Sequence, residues 1–123
     1  MNFNFENNIP IYVQLLEQIK IQIISGYYAA GERLPSVRDL SLKLKVNPNT
    51  LQRALSELEE MGLIYTDRTN GKFVADDRLT IIKGKQKILN QKISEFFKEM
   101  QNLGLSKSDI VQMVEIEGAK KWV

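Results

Sequence analysis

Apolar residues recur at helical spacing in five stretches of the chain, interrupted once by a short β-prone run. From Pro10, the residues Tyr12, Leu15, Leu16, Ile19 and Ile23 share one face of a helix that ends at Ser25-Gly26. Val37, Leu40 and Leu44 fall at i, i+3 and i+7 and predict a second helix of about two turns. Ser36 and Asp39 stand at the S-x-x-D spacing of a capping box. In such a box the hydroxyl takes the third backbone N–H and the carboxylate reaches back to the cap. Asn47 is a good N-cap for a third helix, and Pro48 sits at the first helical position, where its missing N–H costs nothing. Leu51, Leu55 and Leu58, with Ala54 beside them, form that helix's buried stripe. Tyr27 to Arg33 is expected to be a loop bent at Gly31, with Tyr27 and Tyr28 as packing residues. Two capped helices joined by about three residues have the outline of a helix-turn-helix.

Gly62 closes the third helix, and Leu63-Ile64-Tyr65-Thr66 is a short β-prone run. Asp67-Arg68-Thr69-Asn70-Gly71 is turn chemistry ending in the Asn-Gly pair favoured in hairpins, and Lys72-Phe73-Val74-Ala75 is a second strand. A helix-turn-helix followed at once by a hairpin is a winged helix, complete by about Ala75. Met1 to Asn8, with Phe3 and Phe5, is expected to be an extended arm whose aromatics pack on the body or on a partner subunit.

After a polar junction at Asp76-Asp77-Arg78, Leu79 to Leu103 is predicted to be one long helix. Leu89, Ile93, Phe96, Met100 and Leu103 are spaced 4, 3, 4, 3 as in a heptad seam, and Ile82 extends it by one heptad. Ile88 and Phe97 widen the stripe. Gly104 stops the helix, and Ser106 with Asp109 opens a last one through about Lys120, with Ile110, Met113 and Val114 on its apolar face. Trp122 is expected to pack back onto the long helix. The predicted fold is therefore mostly α with a small β-hairpin. A winged helix-turn-helix over residues 1–77 is followed by a two-helix dimerisation tail over residues 78–123.

Two helices of this size cannot bury such a stripe between themselves. Either they fold onto the core of their own chain, or Ile82, Leu89, Ile93, Phe96, Met100 and Leu103 form the interface of a homodimer. Geometry favours the dimer. One recognition helix reads only a few base pairs, whereas two related by symmetry read a palindromic operator.

Composition narrows the chemistry further. The chain holds 43% hydrophobic residues, enough for a packed core, but its formal charge is only +2. Residues 1–78 carry nine Lys/Arg against ten Asp/Glu, and residues 79–123 carry eight against five. Affinity for double-stranded DNA must then come from placed charges rather than a general basic field. There is no Cys and no His, which removes disulfides, thiolate metal sites, Ser-His triads and imidazole acid–base chemistry. Adjacent carboxylates such as Asp76-Asp77 do not converge, and no phosphate-binding glycine loop is present. Neither an enzyme nor a cofactor or metal is expected. No stretch approaches the ~20 apolar residues of a membrane span and no signal-peptide pattern is present, so the expectation is a soluble, cytoplasmic, nucleoid-associated protein.

The third helix carries the functional argument. At roughly 100° per residue, Asn49, Gln52, Arg53 and Ser56 project away from its leucine stripe, with Thr50 at the margin. Asn and Gln can grip adenine through two hydrogen bonds, Arg can grip guanine, and a Thr methyl can touch the thymine methyl. Glu57, Glu59 and Glu60 lie in the C-terminal half, where phosphates would repel them, so the N-terminal end is expected to enter the major groove. Arg68 and Lys72, near the wing tip, are placed for phosphates or an adjacent minor groove. The competing reading keeps the winged-helix shape as a protein-interaction module without DNA binding. The near-neutral N-terminal region supports it, and the polar face of the third helix opposes it.

These residues also amount to a family resemblance. Pro10-Ile11-Tyr12, Ser25-Gly26, Gly31-Glu32-Arg33-Leu34-Pro35-Ser36-Val37-Arg38-Asp39-Leu40, Val46-Asn47-Pro48-Asn49-Thr50 and Ala54-Leu55-x-x-Leu58-Glu59-x-x-Gly62-Leu63-Ile64 resemble the DNA-binding domain of GntR-family bacterial repressors. By position, the resemblance implies DNA contacts at Ser36 and Arg38, at Asn47, Asn49, Thr50 and Gln52, and at Gly71 in the wing. Arg53, Arg68 and Lys72 join them from helical position and charge. Lys45 stands where the family often has Gly, Ala30 where Pro is common, and Thr69 where a wing Gly is frequent. Members usually carry a large C-terminal effector domain, for which this sequence leaves no room. Its tail is similar to that of the small YtrA-type branch, whose genes tend to accompany ATP-binding-cassette transporters. The resemblance thus implies a repressor of transporter genes. No residue points to a small-molecule effector.

Overall fold

The computed structural model describes residues 5–121, so the expectations placed on Phe3 and Trp122 lie outside it. The elements run α1 (Ile11–Ile24), α2 (Val37–Leu44), α3 (Pro48–Glu60), β1 (Ile64–Asp67), β2 (Gly71–Val74), α4 (Arg78–Asn102) and α5 (Lys107–Lys121). This is the mostly helical winged architecture that the apolar pattern predicts. The chain divides into two compact units, one running to Lys85 and the other beginning at Gln86, inside α4.

In the first unit α1 supplies Leu15, Ile19 and Ile23 to the core, and α3 meets them with Leu51, Ala54, Leu55 and Leu58, all essentially without solvent contact. Leu40 from α2 joins the same cluster, so the two helices of the helix-turn-helix share one apolar floor. Phe5, the described aromatic of the N-terminal arm, packs partly buried against this core. The arm is held by Gln14, whose amide bonds the Glu6 backbone N–H (2.8 Å) and the Glu6 and Ile9 carbonyls (2.9 and 2.7 Å).

The caps explain where α2 and α3 begin. Ser36 Oγ accepts the Asp39 N–H at 3.1 Å, and Asn47 Oδ1 accepts the Asn49 N–H at 2.8 Å. Only the hydroxyl half of the box expected at Ser36 is formed. The reciprocal pair appears at α5 instead, where Ser106 N–H donates to Asp109 Oδ2 (3.1 Å) and Asp109 N–H to Ser106 Oγ (3.2 Å). Between α2 and α3, Lys45 adopts the left-handed conformation (φ 57°, ψ 47°), the one non-glycine with positive φ among the described residues. A side chain there costs about 1–2 kcal/mol, against about 0.5–1 kcal/mol of extra chain entropy that glycine would lose on folding. Lys45→Gly is expected to raise the unfolding free energy by about 0.5–1 kcal/mol, the strain relieved less the entropy lost. Urea denaturation checks this, and an unchanged or lowered midpoint contradicts it.

The wing departs from the predicted Asn-Gly turn. Asp67 pairs with Gly71 as the last rung of the β1–β2 ladder, so the loop is the three residues Arg68-Thr69-Asn70. The Asp67 carboxylate organises that loop by accepting from the Thr69 N–H and hydroxyl (2.9 Å each) and from the Asn70 N–H (3.3 Å). Glu32 and Arg33, predicted as loop, run with Leu34 along the outer edge of β2. Leu34 N–H donates to Lys72 O and Val74 N–H to Glu32 O, both at 2.8 Å, with a bridge between Arg33 and Phe73.

The Asp76-Asp77 junction also has a defined role. Asp77 caps α4, taking the Leu79 N–H (3.0 Å) and the Thr80 hydroxyl (2.8 Å). Within the first unit, the opening turns of α4 pack on the winged helix. Ile81 is partly buried against the core, and a methyl group at Gly84 would sit 3.4 Å from Ile24 Cδ1 and 3.6 Å from Leu63 Cδ2. Along the seam, Ile82, Leu89, Ile93 and Leu103 are exposed while Phe96 and Met100 are half-buried. In α5, Ile110 is buried, but Met113 and Val114, expected beside it, are exposed, as are Val111 and Ile116.

Candidate nucleic-acid interface

The residues singled out from the sequence fall into two groups, one on the helix-turn-helix and one on the wing. On α3 the side opposite the leucines presents Asn49, Gln52 and Arg53, all exposed, with Thr50 and Ser56 half-buried at the margins. This face is rigid for two reasons. The helix start is fixed by the Asn47 cap and Pro48, and the opposite face is locked into the core by four buried side chains. Gln52 Nε2 lies 3.4 Å from Ser56 Oγ, a long bond that leaves the Gln52 carbonyl and its second N–H open.

At the start of α2, Ser36 and Arg38 are both exposed. The Ser36 oxygen is occupied by the cap, but its O–H remains able to donate. In the same way Asn47 spends its carbonyl on Asn49 and keeps its NH₂. Capping therefore orients these side chains without using up the donors that a phosphate requires.

In the wing, Arg68 is exposed in the loop and Gly71 opens β2 with φ 103°. Lys72 is half-buried, and its ammonium donates to the Thr66 hydroxyl across the hairpin at 3.0 Å. The structure adds a cation that periodicity did not reveal. The Arg33 guanidinium runs beside the wing, with Nε 3.4 Å from where a Cβ at Gly71 would stand. Gly71 thus supplies both the left-handed turn and the space for that side chain. Its only sequence signal was its place before Leu34-Pro35-Ser36, because the pairing that brings it to β2 is non-local. Among the described residues, neither salt bridge involves Arg33, Arg38, Arg53, Arg68 or Lys72. These cations are available to an anionic partner.

Asp67 is the acidic group inside the wing. Hydrogen bonds from the Thr69 backbone N–H, then from its hydroxyl and from Asn70, hold the carboxyl below the usual carboxylate range. A depressed folded-state value stabilises the folded loop above the ordinary carboxylate pKa, and this contribution is lost as pH falls through the lowered value. The Thr69 and Asn70 amide resonances are therefore expected to move only below pH of about 4, together with the Asp67 side-chain carbon. Titration of that carbon at or above the ordinary value contradicts the assignment. Asp67→Ala is expected to remove the transition.

Among the described residues, no group of three or more acidic side chains could hold a metal ion, and no helix is long and apolar enough to cross a membrane. The arrangement is a surface of oriented donors and of cations outside any salt bridge among the described residues, on a rigid frame.

Residues 11–74 match the family model described as bacterial regulatory proteins, gntR family. The chain is similar to the uncharacterised regulator YhcF of Bacillus subtilis (35% identity, covering 94% of this chain and 95% of that protein). It is also similar to the transcriptional repressor YtrA of the same organism (30% identity; 95% and 84% covered). Among solved structures, a GntR family transcriptional regulator from Listeria monocytogenes superimposes with a TM-score of 0.86 at 42% identity, over 90% of this chain and 97% of that one. The AraR DNA-binding domain, solved in complex with operator ORX1, matches with a TM-score of 0.55 at 26% identity, over 61% of this chain and 99% of that one.

Proposed function

The chain belongs to the gntR family of bacterial regulatory proteins, a family of DNA-binding transcriptional regulators rather than enzymes, and on that premise we propose that it is a homodimeric repressor of an inverted-repeat operator. The observation that carries this is the exposed polar face of α3. Asn49, Gln52 and Arg53 stand on the first two turns of a capped helix whose other side is wholly buried.

In this account Arg38 and the N-terminal end of α3 meet base edges, and Ser36, Arg68 and Lys72 meet phosphates, setting register without reading sequence. The half-site repeat follows from pairing of two chains through the α4 seam. The similarity to the repressor YtrA supports repression as the sign of regulation, and control of transporter genes is proposed for the regulon from the resemblance of the tail alone. The operator AraR complex supports duplex DNA as the partner. DNA binding of this kind takes place in the cytoplasm, on the nucleoid.

Selecting bound fragments from the source genome tests the proposal. A recurring inverted repeat in the recovered fragments is expected, and fragments that share no motif contradict it. Affinity for the selected site should fall steeply with salt because counterions leave the DNA, each neutralised phosphate contributing about −0.9 to the slope of log K against log salt. Arg68→Ala is accordingly expected to flatten the slope by about that amount per subunit engaged, and to weaken selected and scrambled duplexes alike. An unchanged slope places Arg68 off the backbone.

A further inference from the structure

The Arg53 guanidinium is not simply extended from α3. Its Cζ lies 3.8 Å from the ring centroid of Tyr12 on α1, well inside the range of about 6 Å at which a cation is drawn to an aromatic face. Glu57 stands one turn further along α3, where an i, i+4 pair could form, yet neither salt bridge among the described residues joins it to Arg53. Arginine preceding glutamate is the weaker orientation for such a pair, so the ring wins the guanidinium.

Stacking has a chemical consequence. It engages the π-face of the guanidinium and leaves its in-plane N–H donors free of the ring. That planar fork matches a pair of acceptors, either O6 and N7 of guanine or two phosphate oxygens. The support is stiff. Tyr12 is half-buried one turn before Leu15, and Leu15 is fully buried in the core shared by α1 and α3. A long side chain that would otherwise sample many rotamers is thereby confined before any partner arrives.

We propose that Tyr12, although it belongs to α1, is a positioning residue of the DNA-reading surface, holding the Arg53 guanidinium edge-outward for a two-acceptor contact with duplex DNA. This rests on the DNA-binding function proposed above. It gives Tyr12 a role that no groove-facing position on α3 would suggest.

The test is a double-mutant cycle on a duplex selected by the wild-type protein from random-sequence DNA, with a scrambled duplex of equal length beside it. Tyr12→Phe keeps the aromatic face and is expected to bind within about twofold of wild type, whereas Tyr12→Leu is expected to lose about three- to fivefold. In the Arg53→Ala background, Tyr12→Leu should change affinity no further. A loss confined to the selected duplex assigns the contact to guanine, and an equal loss on both assigns it to phosphate. Undiminished binding by Tyr12→Leu, or the same loss with and without Arg53, overturns the proposal and reduces the stack to packing of α1 on α3. Should Tyr12→Leu fail to fold, the wild-type protein still decides. The Arg53 side-chain protons should be shifted upfield by the ring in the free protein and remain so on the duplex, and loss of that shift on binding refutes it. A wild-type protein that selects no duplex at all would instead bring down the DNA-binding function itself.

Discussion

Ile93→Asp is expected to convert the protein to a monomer and to lower its affinity for an inverted-repeat duplex by on the order of a hundredfold. Ile93 is 56% exposed in the single chain, and Leu89 one turn away is 44% exposed, both on a seam with heptad spacing. Apolar side chains in such a row are stabilised only when a second surface removes them from water. A carboxylate at that position would have to be desolvated without a partner on every dimer formed, and the penalty is several kcal/mol even after relaxation (about 3–5 for an uncompensated buried charge). The substitution lies beyond the winged-helix core, so the winged helix should stay folded, whereas the tail, deprived of the surface that covers its stripe, should unfold at lower temperature. Analytical ultracentrifugation with duplex binding on the same samples checks both parts. A variant that remains dimeric, or a monomer that binds the full inverted repeat as tightly as wild type, contradicts the role given to the seam.

Thr50→Ala and Gln52→Ala carry the second large effect. Each is expected to weaken binding to the selected operator by ~1–3 kcal/mol, roughly five- to 150-fold, while leaving folding intact. Gln52 is fully on the exposed side, so truncation removes no core contact. Thr50 is half-buried and loses a methyl and a hydroxyl at the edge of the face. Binding to a scrambled duplex should be nearly unaffected, because the phosphate contacts that dominate there come from other residues. Equal losses on both duplexes would reassign the pair to backbone contacts.

Much of the frame was legible because it is local. Asn47 and Pro48 announce the start of α3, and the leucines at 51, 55 and 58 define its buried side. Those two features together also fix which residues face outward, so the helical part of the site follows directly from periodicity. What escaped the sequence depends on which of several local options the tertiary structure selects. Asp67 could belong to the turn or to the strand, and pairing with Gly71 decides for the strand. Asp77 read as a polar junction because its capping role depends on where α4 begins. Arg33 and Tyr12 were missed for a deeper reason. Each meets its partner across elements far apart in sequence, at Gly71 and Arg53, and no spacing rule encodes such a meeting.

Titrating isotopically labelled protein with the duplex it selects, and following every backbone amide, tests most directly whether the N-terminal turns of α3 read DNA. The largest shifts are expected from Asn47 to Arg53 and from Arg68 to Lys72, and those on α3 should shrink when the duplex is scrambled while those in the wing persist. Perturbations that leave Asn49 to Arg53 untouched, or that are identical for both duplexes along α3, would contradict the account.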